Sequence, residues 1–147
     1  MPLNFSSLFP VVRPKVKVQE YVSVHGSSFD PWDEGELVRK NVSYYECDSD
    51  TAWIVTSISL PEGATITAAI VYGNVVRGST RWDLKRTNLT SAIATDIASS
   101  FVNCGDNTIH QSNADVDNRK STYMFVVSSL SLNDQIYGAT IAYTIWR

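Results

Sequence analysis

A chain of 147 residues has room for one domain with one core, because at that length folding buries roughly two thirds of the surface the unfolded chain exposes. Hydrophobic residues at 44% and charged residues at 18% argue against intrinsic disorder, and no apolar run approaches the roughly 20 residues of a membrane-spanning helix. The net charge of -3 argues against a phosphate-binding face, and the one basic cluster, Arg77, Arg81, Lys85 and Arg86, is diluted by Asp83, so neither nucleic acid nor membrane insertion is expected.

Residues 1–14 contain Pro2, Pro10 and Pro14 and show no strand or helix period, which predicts an extended N-terminal arm ahead of a β-sandwich domain at 15–147. Leu3, Phe5, Leu8, Phe9, Val11 and Val12 make this an assembly arm with apolar surface worth roughly several kcal/mol when buried. The expectation is that it packs outside its own sandwich, on another copy of the chain. It lacks the basic start, unbroken apolar stretch and cleavage site of a secretory signal, so the sequons at Asn4, Asn41 and Asn88 are read as chance.

From there the period is two. Strands are predicted at Lys15 to Val24, Val42 to Cys47, Thr51 to Leu60, Thr65 to Tyr72, Ser79 to Arg86, Ala92 to Ser99, Ser121 to Leu130 and Ile136 to Trp146. In the third, Ile54, Thr56, Ile58 and Leu60 share one face against Trp53, Val55, Ser57 and Ser59. In the fourth, Ile66, Ala68, Ile70 and Tyr72 share a face. Leu89, Ile93 and Ile97 have helical spacing, yet with Thr95 they also fit alternation, and strand is the reading adopted. Residues 103–118 form a long polar loop. In the last two strands Tyr123, Phe125 and Val127 share a face, as do Tyr137, Ala139, Ile141, Tyr143 and Ile145, and Ser131 to Asp134 is expected to join them as a β-hairpin or a closely related connection. About eight antiparallel strands at this spacing predict an all-β sandwich of jelly-roll type.

SLPEGATITAAIVY, then VDNRKSTYMFVV and QIYGATIAYT, resemble an uncharacterised bacterial and phage-associated jelly-roll-like β-sandwich family, with its "LP-GA-I" turn, "VDN…Y" segment and terminal "YG-x-x-I-x-Y" strand. SVHGSSFDPWD is similar to the stretch that opens such domains. The resemblance runs from Val24 to Thr144 and implies the fold; its motifs are turn and core signatures that imply no active site.

Candidate chemistry is sparse. Cys104 and His110 could form a dyad, but neither they nor His25 sit in a nucleophile signature. Asp30, Asp33, Glu34 and Glu36 cluster around Trp32 and read as an acidic loop rather than a glycosidase pair. Asn113, Asp115 and Asp117 begin like a calcium loop, but the central glycine is absent and Met124 stands at the closing position. No cofactor or metal is expected, and no catalytic residue. Cys47 and Cys104 are an even pair that permits one disulfide without establishing it, two buried thiols being the other reading. Trp32, Trp53 and Trp82 could stack on glycans if outward-facing.

The sequence therefore points to a non-enzymatic structural subunit that self-assembles through its arm and sheet edges, as a virion component (capsid, decoration or tail) or an extracellular filament subunit. The alternative is a carbohydrate-binding or adhesion module using exposed aromatics.

Overall fold

The computed structural model describes residues 13–33, 38–49, 51–76, 78–109 and 111–147. The arm residues Leu3, Phe5, Leu8, Phe9, Val11 and Val12 thus lie outside the described residues, as do Glu34, Glu36, Arg77 and His110. Among the described residues ten strands run in chain order: β1 (Lys17–His25), β2 (Asp30–Pro31), β3 (Val38–Lys40), β4 (Tyr45–Cys47), β5 (Ala52–Ile58), β6 (Thr65–Gly73), β7 (Arg81–Asn88), β8 (Ala94–Phe101), β9 (Ser121–Leu130) and β10 (Gln135–Trp146); the short helix α1 (Gln111–Ala114) precedes β9.

The pairings are nested. β1 pairs with β10, β5 with β9 and β7 with β8, all antiparallel, while single bridges join Thr65 to Asp115 and Ala69 to Asp106. The chain is therefore one long antiparallel ribbon, doubled back at the β7–β8 turn and rolled so that successive pairs alternate between two sheets. This is the jelly-roll arrangement of two Greek keys. The first sheet places β10 between β1 and β6, with β4 and β3 continuing beside the start of β10; the second runs β2-β5-β9-β7-β8. Between them lie Trp82, Phe125, Ile54, Leu84, Val71 and Ile141, all buried.

All eight predicted strands are present, and β2 and β3 are additional, too short to show a period. The polar stretch 103–118 contains α1 and the two bridges to β6. Three expectations need correction. Ser131 to Asp134 is no hairpin: β9 lies between β5 and β7 in one sheet and β10 lies in the other, so the loop arches across the sandwich. In β6 the phase changes opposite the irregularity between Ala142 and Tyr143, so Ile66, Ala69 and Val71 point inward while Tyr72 points out. In β10 a bulge between Ile136 and Gly138 turns Tyr137 to the outer face, away from Ala139, Ile141 and Tyr143.

The separated family-like motifs meet in space. Val116 N–H donates to Ala64 C=O (2.8 Å) and Gly63 N–H to Val116 C=O (3.2 Å), while Asn118 Nδ2 donates to Leu60 C=O (2.9 Å) and its N–H to Glu62 Oε2 (2.7 Å). Asp117 N–H donates to Tyr123 Oη (2.9 Å). The "LPEGA" turn and the "VDN…Y" segment thus fasten one end of the sandwich. Near the C-terminus, Arg147 donates from Nε and Nη2 to Glu20 (2.8 and 2.7 Å) and Tyr143 Oη donates to it (3.0 Å), which ties β1 to β10 and holds the Glu20 carboxyl below the usual range.

Candidate functional site

On the outer face of the first sheet, alternation along β10 presents Gly138, Thr140 and Ala142, a floor of small side chains. β1 contributes Tyr21, Ser23 and His25 on one side and β6 contributes Ala68, Ile70 and Tyr72 on the other. Small residues on the middle strand and larger ones on both flanks make a groove. It consists of two adjoining depressions of about 350 and 650 Å³ that share Tyr72 and Thr140.

Three tyrosines border it: Tyr21 is 66% exposed, Tyr72 46% and Tyr137 45%. Tyr137 is there because of the bulge, and the bulge needs glycine. A Cβ at Gly138 would stand 2.5 Å from Val24 C=O, and one at Gly26 would run into Ile136 C=O and Tyr137, so β1, the turn after it and β10 close up only with glycine at both places. Beside them, Ser27 N–H donates to His25 Nδ1 (3.0 Å), which ties the ring to the turn after β1. Ser23 and Thr140 hydroxyls are hydrogen-bonded to each other across the floor (2.8 Å).

The opposite end is closed by Gly105, Asp106 and Asn107. Asn103, in the left-handed region at φ 69, lies alongside β6 and pairs with Gly73 through both side-chain atoms at 3.0 Å, in the manner of a strand residue. Asp106 and Ala69 exchange backbone hydrogen bonds of 3.0 Å. Burial disfavours ionisation of the Asp106 carboxyl, but hydrogen bonds from Ser99 N–H (3.0 Å), Thr108 N–H (2.8 Å) and Thr108 Oγ1 (2.7 Å) outweigh it and hold the group below the usual carboxylate range. A lowered folded-state pKa stabilises above the unfolded value, and that stability is lost as pH falls through the folded value. Urea titrations should therefore find Asp106→Ala less stable than the parent near pH 7, with the gap narrowing as the pH falls through and below the ordinary carboxylate range; a gap independent of pH would contradict this assignment.

The sequence-derived candidates fall elsewhere. Trp82 is fully buried and donates its indole N–H to Phe101 C=O and Cys104 C=O, both at 3.0 Å, so it is a core residue and offers no stacking face. Trp32 and Trp53 are 56% and 47% exposed and lie side by side at the edge of the second sheet, with Trp32 N–H donating to Trp53 C=O (2.8 Å). Both cysteines are thiols, Cys47 buried and Cys104 half-buried. Cys47 is on β4, on one flank of β10, whereas the turn carrying Cys104 is fastened through Asn103 to β6 on the other flank, two strand spacings away and beyond disulfide reach. Asp30 forms an ion pair with Lys40 (2.6 Å). Asp115 accepts from Thr65, Asp117 from Arg119 N–H, and Asn113 from Arg86, so the three do not converge on a common point. Arg81 lies over the Phe101 ring and Lys85 pairs with Asp96, so these basic residues do not form one patch with Arg86.

No protein-family model matches the chain, and no curated protein matches it. Among solved structures it is similar to a family 29 carbohydrate-binding module from Piromyces equi, at a TM-score of 0.42 and 18% identity, over 86% of this chain and 90% of that one.

The groove tyrosines were not singled out in the sequence. Their signal is there in part: β10 is rich in small residues at alternate places, and its Tyr-Gly pair interrupts the alternation where a bulge would.

Proposed function

We propose that this protein is a non-enzymatic recognition module that binds a neutral glycan chain along the outer face of its first sheet. The observation that carries the reading is the set of three exposed tyrosines bordering an uncharged floor of small residues. A pyranose ring has an apolar C–H face and a polar rim. The first packs on a tyrosine ring, and the second meets the phenol hydroxyls, Ser23, Asn107 and Asp106. Among the described residues no Lys or Arg lines the groove, so nothing there attracts an anionic sugar. At ~3.3 Å per residue the floor from Gly138 to Ala142 is about 13 Å long, which suits a short run of linked sugars rather than a single one.

Neutral oligosaccharides on an array should retain the protein, and Tyr72→Ala should weaken the best of them about tenfold in titration calorimetry. Silence across neutral glycans, or affinity unchanged by Tyr72→Ala, would remove the reading. Self-assembly as a virion or filament subunit is a second proposal, favoured by one observation, that among the described residues no strand pairs with the outer edge of β1.

A further inference from the structure

The sheet edges are unequally protected. Beyond β6 runs the segment with Asn103, Asp106 and Asp115, β8 receives the Asp106 carboxylate at Ser99 N–H, and the remaining edge strands, β2 and β3, are only 2 and 3 residues long. Among the described residues no strand lies on the far side of β1. Val16 and Arg147 exchange both backbone hydrogen bonds (3.0 and 2.9 Å), so strict alternation assigns the peptide groups of Val18, Glu20, Val22 and Val24 to β10. Those of Lys17, Gln19, Tyr21, Ser23 and His25 point to the open edge. The register with β10 has no bulge from Lys17 to His25, and the segment KVQEYVSVH has no proline and its one lysine at the end. Of the devices that usually blunt an edge strand, proline and a bulge are missing, and the one charge within the strand, Glu20, is neutralised by Arg147 of its own chain.

We propose that two copies of this chain join antiparallel through these β1 edges, with Tyr21 on the two-fold axis. This register pairs all nine residues and places every outward peptide group opposite another: Tyr21 faces the partner's Tyr21, Gln19 faces the partner's Ser23, and Lys17 faces the partner's His25. Glu20, already held by Arg147, stands opposite the partner's Val22. Centring the pair on Glu20 instead would set two carboxylates against each other, a destabilising cross-strand arrangement. The interface is self-complementary and closes as a dimer. It forms a continuous sheet, β6-β10-β1 followed by the same strands of the partner in reverse, and it brings the two Tyr21 rings together on the outer face, where the grooves become one. The dimer stands independently of what the groove binds.

Light scattering of the full chain should give twice the mass of one copy. Gln19→Pro removes an outward N–H while leaving the β10 ladder and the groove untouched, and should give a folded monomer with the parent's far-ultraviolet dichroism. A parent that stays monomeric at hundreds of micromolar, or a Gln19→Pro variant that stays dimeric, would overturn the proposal. If that variant does not fold, mild oxidation decides. With the parent as the blank for Cys47 and Cys104, Tyr21→Cys should cross-link into dimers, because its Cα would lie about 5.5 Å from its copy. Lys17→Cys, about 26 Å from its copy, should not. Absence of a Tyr21→Cys cross-link, or equal yields at both positions, also overturns it.

Discussion

Trp82→Ala is expected to lower unfolding stability by about 3–5 kcal/mol, the range for truncating a fully buried aromatic residue. The indole is completely enclosed, meets Phe125 edge-on with ring centroids 6.0 Å apart, and gives its N–H to both Phe101 C=O and Cys104 C=O. Alanine leaves a cavity between the sheets and takes away the shared donor of two carbonyls at the end of β8. Because domain stability is commonly ~5–15 kcal/mol, the variant should be close to unfolding at physiological temperature. Trp82→Phe, which refills much of the volume but not the hydrogen bonds, should retain more of it. Urea midpoints measure both; a loss below about 1 kcal/mol for alanine would mean that the indole does not organise the core.

Gly138→Ala is expected to cost about 2–3 kcal/mol, as overpacking against atoms that cannot rotate away. The obstructing atom is the Val24 carbonyl oxygen, part of the backbone of β1, 2.5 Å from where the new methyl would stand. Either β1 moves outward or the bulge flattens, and a flattened bulge returns Tyr137 towards the interior register. Stability and glycan binding should therefore fall together. Gly63→Ala makes a useful contrast: its cost comes from φ +80 alone, since nothing lies within 4 Å, and it should lose about 1 kcal/mol with binding intact. Equal effects at the two glycines would contradict the role given to Gly138.

Where the sheet alternates without interruption, the sequence is readable: Ile54, Thr56 and Ile58 face inward with Trp53 outward, and Tyr123, Phe125 and Val127 line the core. It misleads at irregularities. Tyr137 shares a parity with Ala139 and Ile141 but sits at the bulge, and Tyr72 follows the phase change in β6, so strict alternation puts both on the wrong face. A one-residue slip moves a side chain to the other face, and bulges depend on partners distant in sequence, here Gly26 and Val24 against Gly138. Leu89 and Ile93 illustrate another limit, since their helical spacing reflects no buried stripe; they are 55% and 65% exposed around the β7–β8 turn. Tryptophan drew attention to Trp82, which carries more of the core than any surface. The groove residues are Tyr, Gly, Ala and Thr, ordinary strand composition, and only the pairing of β1 and β6 on either side of β10 brings them together.

Glycan binding along the outer face of the first sheet can be located residue by residue. Titrating a neutral oligosaccharide selected on the array into isotopically labelled protein, and following backbone amide shifts, tests it most directly. The changes should concentrate on Tyr21, Tyr72, Tyr137, Gly138 and Thr140. Shifts gathered instead around Trp32 and Trp53, at the edge of the second sheet, would contradict it.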